Sequence, residues 1–188
     1  MVRHGETDWN RESRFQGQSD PPLNASGRRQ AHELAQRLRG ESLDTVYASP
    51  LRRAYETAEI VAGGLGLEVQ AVDALREVFL GAWEGLTLSE VEARFPEGYR
   101  RWVGHRDGWH GGESYDELAQ RVIAGLLEIA EAHEGGRVLA VTHGGPIRSA
   151  VAAATGTPFA EIHSSVRVIE NCAVLRFTVG DGAFERVD

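Results

Sequence analysis

Apolar residues in this chain follow two rhythms: short runs, and longer stretches in which they recur every third or fourth position. Asp44 to Ala48 and Arg137 to Val141 are runs of the first kind. Their apolar positions do not alternate regularly with polar ones, as expected of strands covered on both faces of a parallel sheet. A helix signal follows each. Ser49 and Pro50 supply an N-cap and an N1 proline for a helix carrying Ala54, Ala58, Val61 and Leu65. Gly144, Gly145 and Pro146 lead into Ile147, Ala150, Val151 and Ala154.

Two further helices are marked by their ends. Ser26 is placed to cap one that carries Ala31, Leu34, Ala35 and Leu38 and stops at Gly40. Ser114 and Glu117 form a capping box for another, with Leu118, Val122, Leu126, Ile129 and Ala130 on its apolar stripe and Gly135-Gly136 beyond its end. Asn171 to Val179 and Ala183 to Val187 flank Gly180-Asp181-Gly182, the pattern of a hairpin at a sheet edge. This alternation predicts an α/β fold, a three-layer α/β/α sandwich with a mostly parallel central sheet and an antiparallel edge strand. Residues 79–112, with three of the four tryptophans, are the least regular part. Short helical stretches around Leu88 to Phe95 and Tyr99 to Val103 make this segment read as a lid-like helical insertion over the site, within one domain spanning 1–188.

Composition narrows the possibilities. With 188 residues, 41% hydrophobic and 26% charged, the chain has ordinary globular content and the length for one full core. No run approaches the ~20 apolar residues of a membrane span, and Met1-Val2-Arg3-His4 does not open a signal peptide. A cytoplasmic protein without a membrane partner is expected. Cys172 is the only cysteine, which excludes an intrachain disulfide and a zinc site built on cysteines, and it reads as a small apolar residue in a strand. The net charge of −8 argues against nucleic acid as a partner. Nothing in the composition decides whether the chain forms a homo-oligomer.

Any anion bound by such an acidic chain must be gathered locally. In open α/β sheets ligands bind beyond the carboxyl ends of the strands, where helix N-termini present free N–H groups. The strand ends here read Arg3-His4-Gly5-Glu6-Thr7, Ser49-Pro50-Leu51-Arg52-Arg53 and Thr142-His143-Gly144-Gly145. Singly, such residues carry little weight, since a lone histidine is ordinarily structural and a Gly-Gly pair ordinarily a tight turn. Together they bring two histidines and at least two arginines to one place, and the planar guanidinium matches phosphate oxygens. Arg52 and Arg53 in a first helical turn oppose the helix dipole, a cost that a bound anion offsets. His32, His105, His110, His133 and His163 lack such a context and read as surface or structural. None forms a metal-ligand spacing with His4 or His143, so neither metal nor cofactor is expected.

These segments resemble the histidine phosphatase superfamily, in the branch named after cofactor-dependent phosphoglycerate mutase. The opening Arg3-His4-Gly5-Glu6-Thr7, with Trp9-Asn10 and Phe15-Gln16-Gly17, is followed in the family's order by Ser49-Pro50-Leu51-Arg52-Arg53-Ala54 and Leu75-Arg76-Glu77. Next come Gly81-Ala82-Trp83-Glu84-Gly85, Gly111-Gly112-Glu113-Ser114 and Thr142-His143-Gly144-Gly145, so the likeness covers nearly the whole chain.

The resemblance implies that His4 is the nucleophile and becomes phosphohistidine. It implies that Arg3, Arg53 and His143 bind the phosphoryl oxygens, that Asn10, Gln16 and Gly144 add substrate contacts, and that Glu77 is the general acid. Only Met1 and Val2 precede Arg3, so the first strand is short here or the natural start lies upstream. The Leu-Gly-Ala-Trp-Glu-Gly wording at 80–85 resembles the broad-specificity phosphatases more than the mutases. A phosphomonoester hydrolase acting on a small phosphorylated metabolite is the leading expectation. A phosphoglycerate mutase is the alternative, and a non-catalytic phosphate-binding module the third. Trp83, Phe95, Tyr99, Trp102 and Trp109 are placed either to line a leaving-group pocket or to form the insertion's own small core.

Overall fold

The computed structural model describes residues 1–165, 168–180 and 182–187. In chain order the elements are β1 (Val2–Arg3), α1 (Asp8–Arg11), α2 (Ala25–Arg37), β2 (Thr45–Ala48), α3 (Arg52–Leu65) and β3 (Val69–Ala71). They continue with α4 (Leu88–Arg94), α5 (Pro96–Val103), α6 (Tyr115–Ala132), β4 (Val138–Thr142), α7 (Gly144–Thr155), α8 (Phe159–Ser165), β5 (Phe177–Gly180) and β6 (Ala183–Arg186). Strands β1, β4, β2 and β3 lie side by side in that order, with every pair parallel.

Strand periodicity sorts the apolar side chains onto the two faces. Val46, Ala48, Leu139 and Val141 pack with Leu34, Ala35 and Leu38 of the α2 end and with Ala54, Ala58 and Val61 of α3. Tyr47 and Ala140 point the other way, against Leu118, Val122, Leu126 and Ile129 of α6 and Ala150 of α7. The result is the three-layer α/β/α sandwich.

The antiparallel element takes two forms. Residues Cys172 to Leu175 run against the free side of β1, through Cys172 N–H to the Arg3 carbonyl (2.9 Å), Leu175 N–H to the Met1 carbonyl (2.9 Å) and a bridge between Val2 and Val174. Beyond them β5 and β6 pair as a separate two-stranded hairpin. Of its predicted Gly180-Asp181-Gly182 turn, Asp181 lies outside the described residues. Cys172 is buried as expected but sits in a turn with φ of +57°, not in a strand.

Two helix starts differ from the sequence reading. Asn24, not Ser26, caps α2, its Oδ1 accepting from Gly27 N–H at 2.8 Å. Helix α3 begins at Arg52 after Leu51 and has no side-chain cap, because the Ser49 hydroxyl faces His143 instead. The capping box of α6 forms as expected, with Glu117 N–H donating to Ser114 Oγ and Ser114 N–H to the Glu117 carboxylate. Thr87 and Glu90 make a second capping box, at the start of α4.

Within 79–112, Trp83 is wholly buried. Its ring centroid lies 5.4 Å from Phe15, 6.4 Å from Trp102 and 5.7 Å from Trp109. Trp109 is also buried, while Phe95, Tyr99 and Trp102 pack half-buried against this cluster. The aromatic residues therefore form a core that ties the segment to the body of the fold through Phe15 and Tyr115, rather than an open apolar pocket.

The backbone after β1 is clamped from behind by α2. A Cβ added at Gly5 would stand 2.6 Å from the Gly27 carbonyl oxygen, and one at Gly27 would stand 2.2 Å from that of Glu6. Only glycine at both positions lets the two backbones meet, and the pair is reinforced by Asn24 N–H to the Glu6 carbonyl and Glu6 N–H to Gln30 Oε1. Gly27→Ala should therefore destabilise the fold by about 1–3 kcal/mol, the usual cost of overpacking a contact that cannot yield. The urea unfolding midpoint measures this, and an unchanged midpoint would show that the contact can relax.

Candidate active site

Sheet register brings the sequence-predicted residues together. Val2, Val141 and Ala48 lie in one row across β1, β4 and β2. Two residues further along each chain come His4, His143 and Pro50, so the two histidines leave the sheet side by side. Their ring centroids are 5.1 Å apart. Both are almost completely buried, at 2% and 0% exposure.

Hydrogen bonding fixes the ring state of His4 and pairs His143 with a hydroxyl. His4 Nδ1 lies 2.7 Å from the Gly5 carbonyl oxygen, which can only accept. Nδ1 therefore carries the proton and Nε2 keeps its lone pair. His143 Nε2 lies 2.8 Å from Ser49 Oγ, and Leu51 N–H donates to the same oxygen at 3.3 Å. When the serine proton is donated to Nε2, the proton of His143 sits on Nδ1, which is buried and has no hydrogen-bond partner among the described residues.

Burial is the main reason both histidines are held well below the usual imidazole pKa of 6.5; the positive charge of Arg53 is second, and Arg3 adds to it. The Gly5 carbonyl pulls weakly the other way on His4. Both rings are therefore neutral at neutral pH.

Arg53 is 0% exposed. Its Nη1 donates to the Ser19 carbonyl and its Nη2 to that of Gly17, each at 2.7 Å, while Nε has no partner among the described residues. Burial brings its pKa down to about 10, against the pull of Glu77, Asp20 and Glu84, and it stays charged. Arg3 reaches the Ile169 carbonyl through Nη1. Arg52 is exposed and only its backbone N–H is engaged, by Asp20 at 2.6 Å.

Glu77 lies against the N-terminus of α7. Its carboxylate accepts from Gly145 N–H at 3.1 and 3.3 Å and from its own neighbour Val78 N–H at 3.0 Å. A Cβ at Gly145 would stand 2.3 Å from Glu77 Oε1, so this glycine makes room for the carboxylate. Gly144 beside it is half-buried at the same helix end.

Asn10 and Gln16 are drawn into the site indirectly. Both side-chain oxygens face Thr7: Asn10 Oδ1 accepts from Thr7 N–H at 3.1 Å, and Gln16 Oε1 from Thr7 Oγ1 at 3.0 Å. Their amide nitrogens are the groups left for a ligand.

Several residues at the site were not singled out from the sequence. Thr57 Oγ1 accepts from Gly5 N–H at 3.0 Å and donates to the Arg53 carbonyl at 2.6 Å. Asn171 Nδ2 donates to the His4 carbonyl at 2.8 Å. Arg148, one helical turn past Gly144, turns its guanidinium back toward the helix start, where a Cβ on Gly144 would meet Nη1 at 2.9 Å. Its position four residues after Gly144 was the available signal.

Of the other histidines, His32, His105 and His110 are exposed and His133 meets the Tyr47 hydroxyl at 2.9 Å. His163 faces the Tyr115 hydroxyl at 3.3 Å, and burial foremost lowers its pKa to about 4. Among the described residues no group of three or more His, Cys, Asp or Glu side chains could hold a metal ion. No helix among them is long and apolar enough to cross a membrane.

A fold with two buried neutral histidines and a buried arginine at the strand ends defines a phosphoryl-handling α/β protein. The chain belongs to the histidine phosphatase superfamily (branch 1), whose family model matches residues 1–187. It is 39% identical over 166 residues to phosphoserine phosphatase 1 of Hydrogenobacter thermophilus, covering 87% of this chain and 79% of that one. It is 46% identical over 154 residues to phosphoglycerate mutase-like protein 4 of Arabidopsis thaliana, covering 79% and 67% of the two chains.

Among solved structures, Bacillus stearothermophilus YhfR superposes with a TM-score of 0.90 at 35% identity, over 99% of this chain and 93% of that one. A phosphoserine phosphatase mutant from Entamoeba histolytica in complex with phosphoserine gives a TM-score of 0.87 at 27% identity, over 100% and 93%. The protein is thus an enzyme of this superfamily, a phosphatase or a mutase.

The lowered histidine pKa values make a stability prediction. In the unfolded chain these rings take protons near 6.5, whereas in the folded protein they resist protonation until well below it. The unfolded state then binds more protons as pH falls, so the stabilisation is complete above about 6.5 and is lost progressively below it. The melting temperature should fall between pH 7 and pH 5 in phosphate-free buffer, and His143→Asn should flatten that slope. A slope unaltered in the variant would place the titration elsewhere.

Proposed function

We propose that the protein is a phosphomonoester hydrolase in which His4 is the nucleophile, Glu77 the general acid, and Arg3, Arg53 and His143 the phosphoryl clamp. The supporting observation is the 2.7 Å contact between His4 Nδ1 and the Gly5 carbonyl, which leaves the Nε2 lone pair for attack.

In the first step Nε2 bonds to phosphorus while the ester P–O bond breaks, and the departing oxygen takes the proton of Glu77. The positive ring of phosphohistidine forms beside its own carbonyl acceptor. The remaining N–H groups of Arg53, the Nδ1 proton of His143 and Arg3 face the charge spread over the phosphoryl oxygens. In the second step Glu77, now a carboxylate, takes a proton from water. The resulting hydroxyl oxygen bonds to phosphorus, the P–N bond breaks with its electron pair returning to Nε2, and inorganic phosphate leaves, the histidine proton having stayed on Nδ1 throughout. Asn10, Gln16 and Gly144 add substrate contacts from the rim, and residues 79–112 cover the site as a lid within one domain.

The positive charge that this scheme needs comes from arginines and helix N-termini, so no divalent metal takes part, and the enzyme is cytoplasmic. The likeness to a phosphoglycerate mutase-like protein favours a second reading, in which the phosphoryl group returns to the substrate before water reaches it. Incubation with phosphoglycerate separates the two, since the hydrolase yields inorganic phosphate and the mutase an isomerised phosphoglycerate.

His4→Ala should abolish both turnover and acid-labile labelling by substrate phosphate; labelling that survives would mean another nucleophile. Glu77→Gln should slow single-turnover phosphorylation of His4 by an alkyl phosphate ~10²–10⁴-fold. The loss should be much smaller with nitrophenyl phosphate, whose leaving group needs little protonation. Equal losses with both would remove Glu77 from the role of acid. Prolonged dialysis against a chelator should leave the rate unchanged, and a loss restored by magnesium or zinc would refute the metal-free scheme.

A further inference from the structure

The Arg53 guanidinium is aimed by the carbonyls of Gly17 and Ser19, and these belong to a short loop without regular secondary structure. What holds that loop is Glu84. One oxygen of its carboxylate, Oε1, accepts from Gln18 N–H at 2.8 Å. The other, Oε2, accepts from Ser19 N–H at 2.7 Å and from the Ser19 hydroxyl at 2.6 Å. Oε1 also accepts from Leu80 N–H at 3.1 Å, three residues after Glu77, and Gln18 Nε2 donates to the Glu77 carbonyl at 3.1 Å.

A single carboxylate thus ties the loop that aims Arg53 to the segment that carries Glu77. Gly17, with φ of +51°, lets the loop close over it, since a Cβ there would stand 2.2 Å from Glu84 Oε1. Every contact of the carboxylate is with a donor, so an amide cannot replace it: its NH₂ group would face N–H groups.

We infer that Glu84 is a positioning residue for phosphoryl binding, acting through Arg53 by fixing the Gly17 and Ser19 carbonyls. With the carboxylate removed, those carbonyls lose their fixed direction. The guanidinium then no longer presents its remaining N–H groups at one place beside His4 and His143. This inference rests on the reading of Arg53 as phosphoryl clamp.

A double-mutant cycle separates the inference from that reading. The dissociation constant of inorganic phosphate is measured by phosphorus NMR titration for the wild type, Glu84→Gln, Arg53→Lys and the pair. Glu84→Gln should weaken phosphate about tenfold in the wild-type background and less than about twofold when Arg53 is already lysine, as expected of residues coupled in one network. An equal factor in both backgrounds, or no loss in either, overturns the role of Glu84. No loss in Arg53→Lys alone overturns the clamp itself.

Ser19→Ala, which removes one donor and keeps the backbone, serves if Glu84→Gln does not fold; it should give a smaller loss with the same dependence on Arg53. The nitrogen-proton NMR signal of Arg53 Nε gives a readout that needs no arginine variant. It should shift in Ser19→Ala, whereas an unmoved signal would show that the loop does not aim the guanidinium.

Discussion

Arg53 is buried completely and is held by two backbone carbonyls rather than by a carboxylate in contact. Dipoles orient a guanidinium without cancelling its charge, so a positive potential persists in a place water does not screen. Much of the site follows from that potential. It opposes protonation of His4 and His143, adding to the effect of burial, and keeps both rings neutral. A buried, uncancelled cation is costly to the isolated protein and becomes favourable when a dianion sits beside it. The chain carries a net charge of −8, so its affinity for an anion must arise from this local arrangement and not from its overall field.

The hydrogen-bonding pattern divides labour between the histidines in a way residue identity alone cannot. His4 is given an acceptor on Nδ1, which frees Nε2 as a base or nucleophile. His143 meets a hydroxyl on Nε2, and a ring that accepts from it keeps its own proton on Nδ1, a buried atom with no partner among the described residues. Two chemically identical side chains are thereby made complementary, one offering a lone pair and the other a proton. Ser49 is the residue that makes the distinction, and it does so instead of capping α3.

The parts of this structure legible in the sequence are those fixed by local periodicity. Strands β2 and β4, helices α3, α6 and α7 and the convergence of His4, Arg53 and His143 follow from apolar spacing and from the rule that ligands meet strand ends. What escaped was decided by tertiary competition for single atoms. Ser49 fits a cap by sequence, yet a buried imidazole nitrogen claims its hydroxyl. Ser26 and Asn24 are both good caps, and the approach of Gly27 to Glu6 selects the earlier one. Strand β3, three residues long and half exposed, has too few apolar positions to show a period. The aromatic residues of 79–112 are ambiguous by sequence because pocket walls and small cores use the same side chains. Trp83 resolves the matter by lying at 0% exposure.

Strand β1 is two residues long, and both of its neighbours come from far along the chain: β4 at 138–142 on one side and residues 172–175 on the other. During synthesis on the ribosome the segment bearing His4 is made before either of them, and although its loop after β1 can already meet α2 and Thr57, β1 itself has no strand to pair with until residues 138–142 have emerged. Such long-range pairing closes late and slowly. A chain lacking residues 172–175 would leave the Met1 and Arg3 carbonyls on that side of β1 without the N–H groups that meet them in the complete fold. The order of the strand end that carries His4 is thus a property of the whole fold, because the strands on both of its sides are drawn from the far half of the chain.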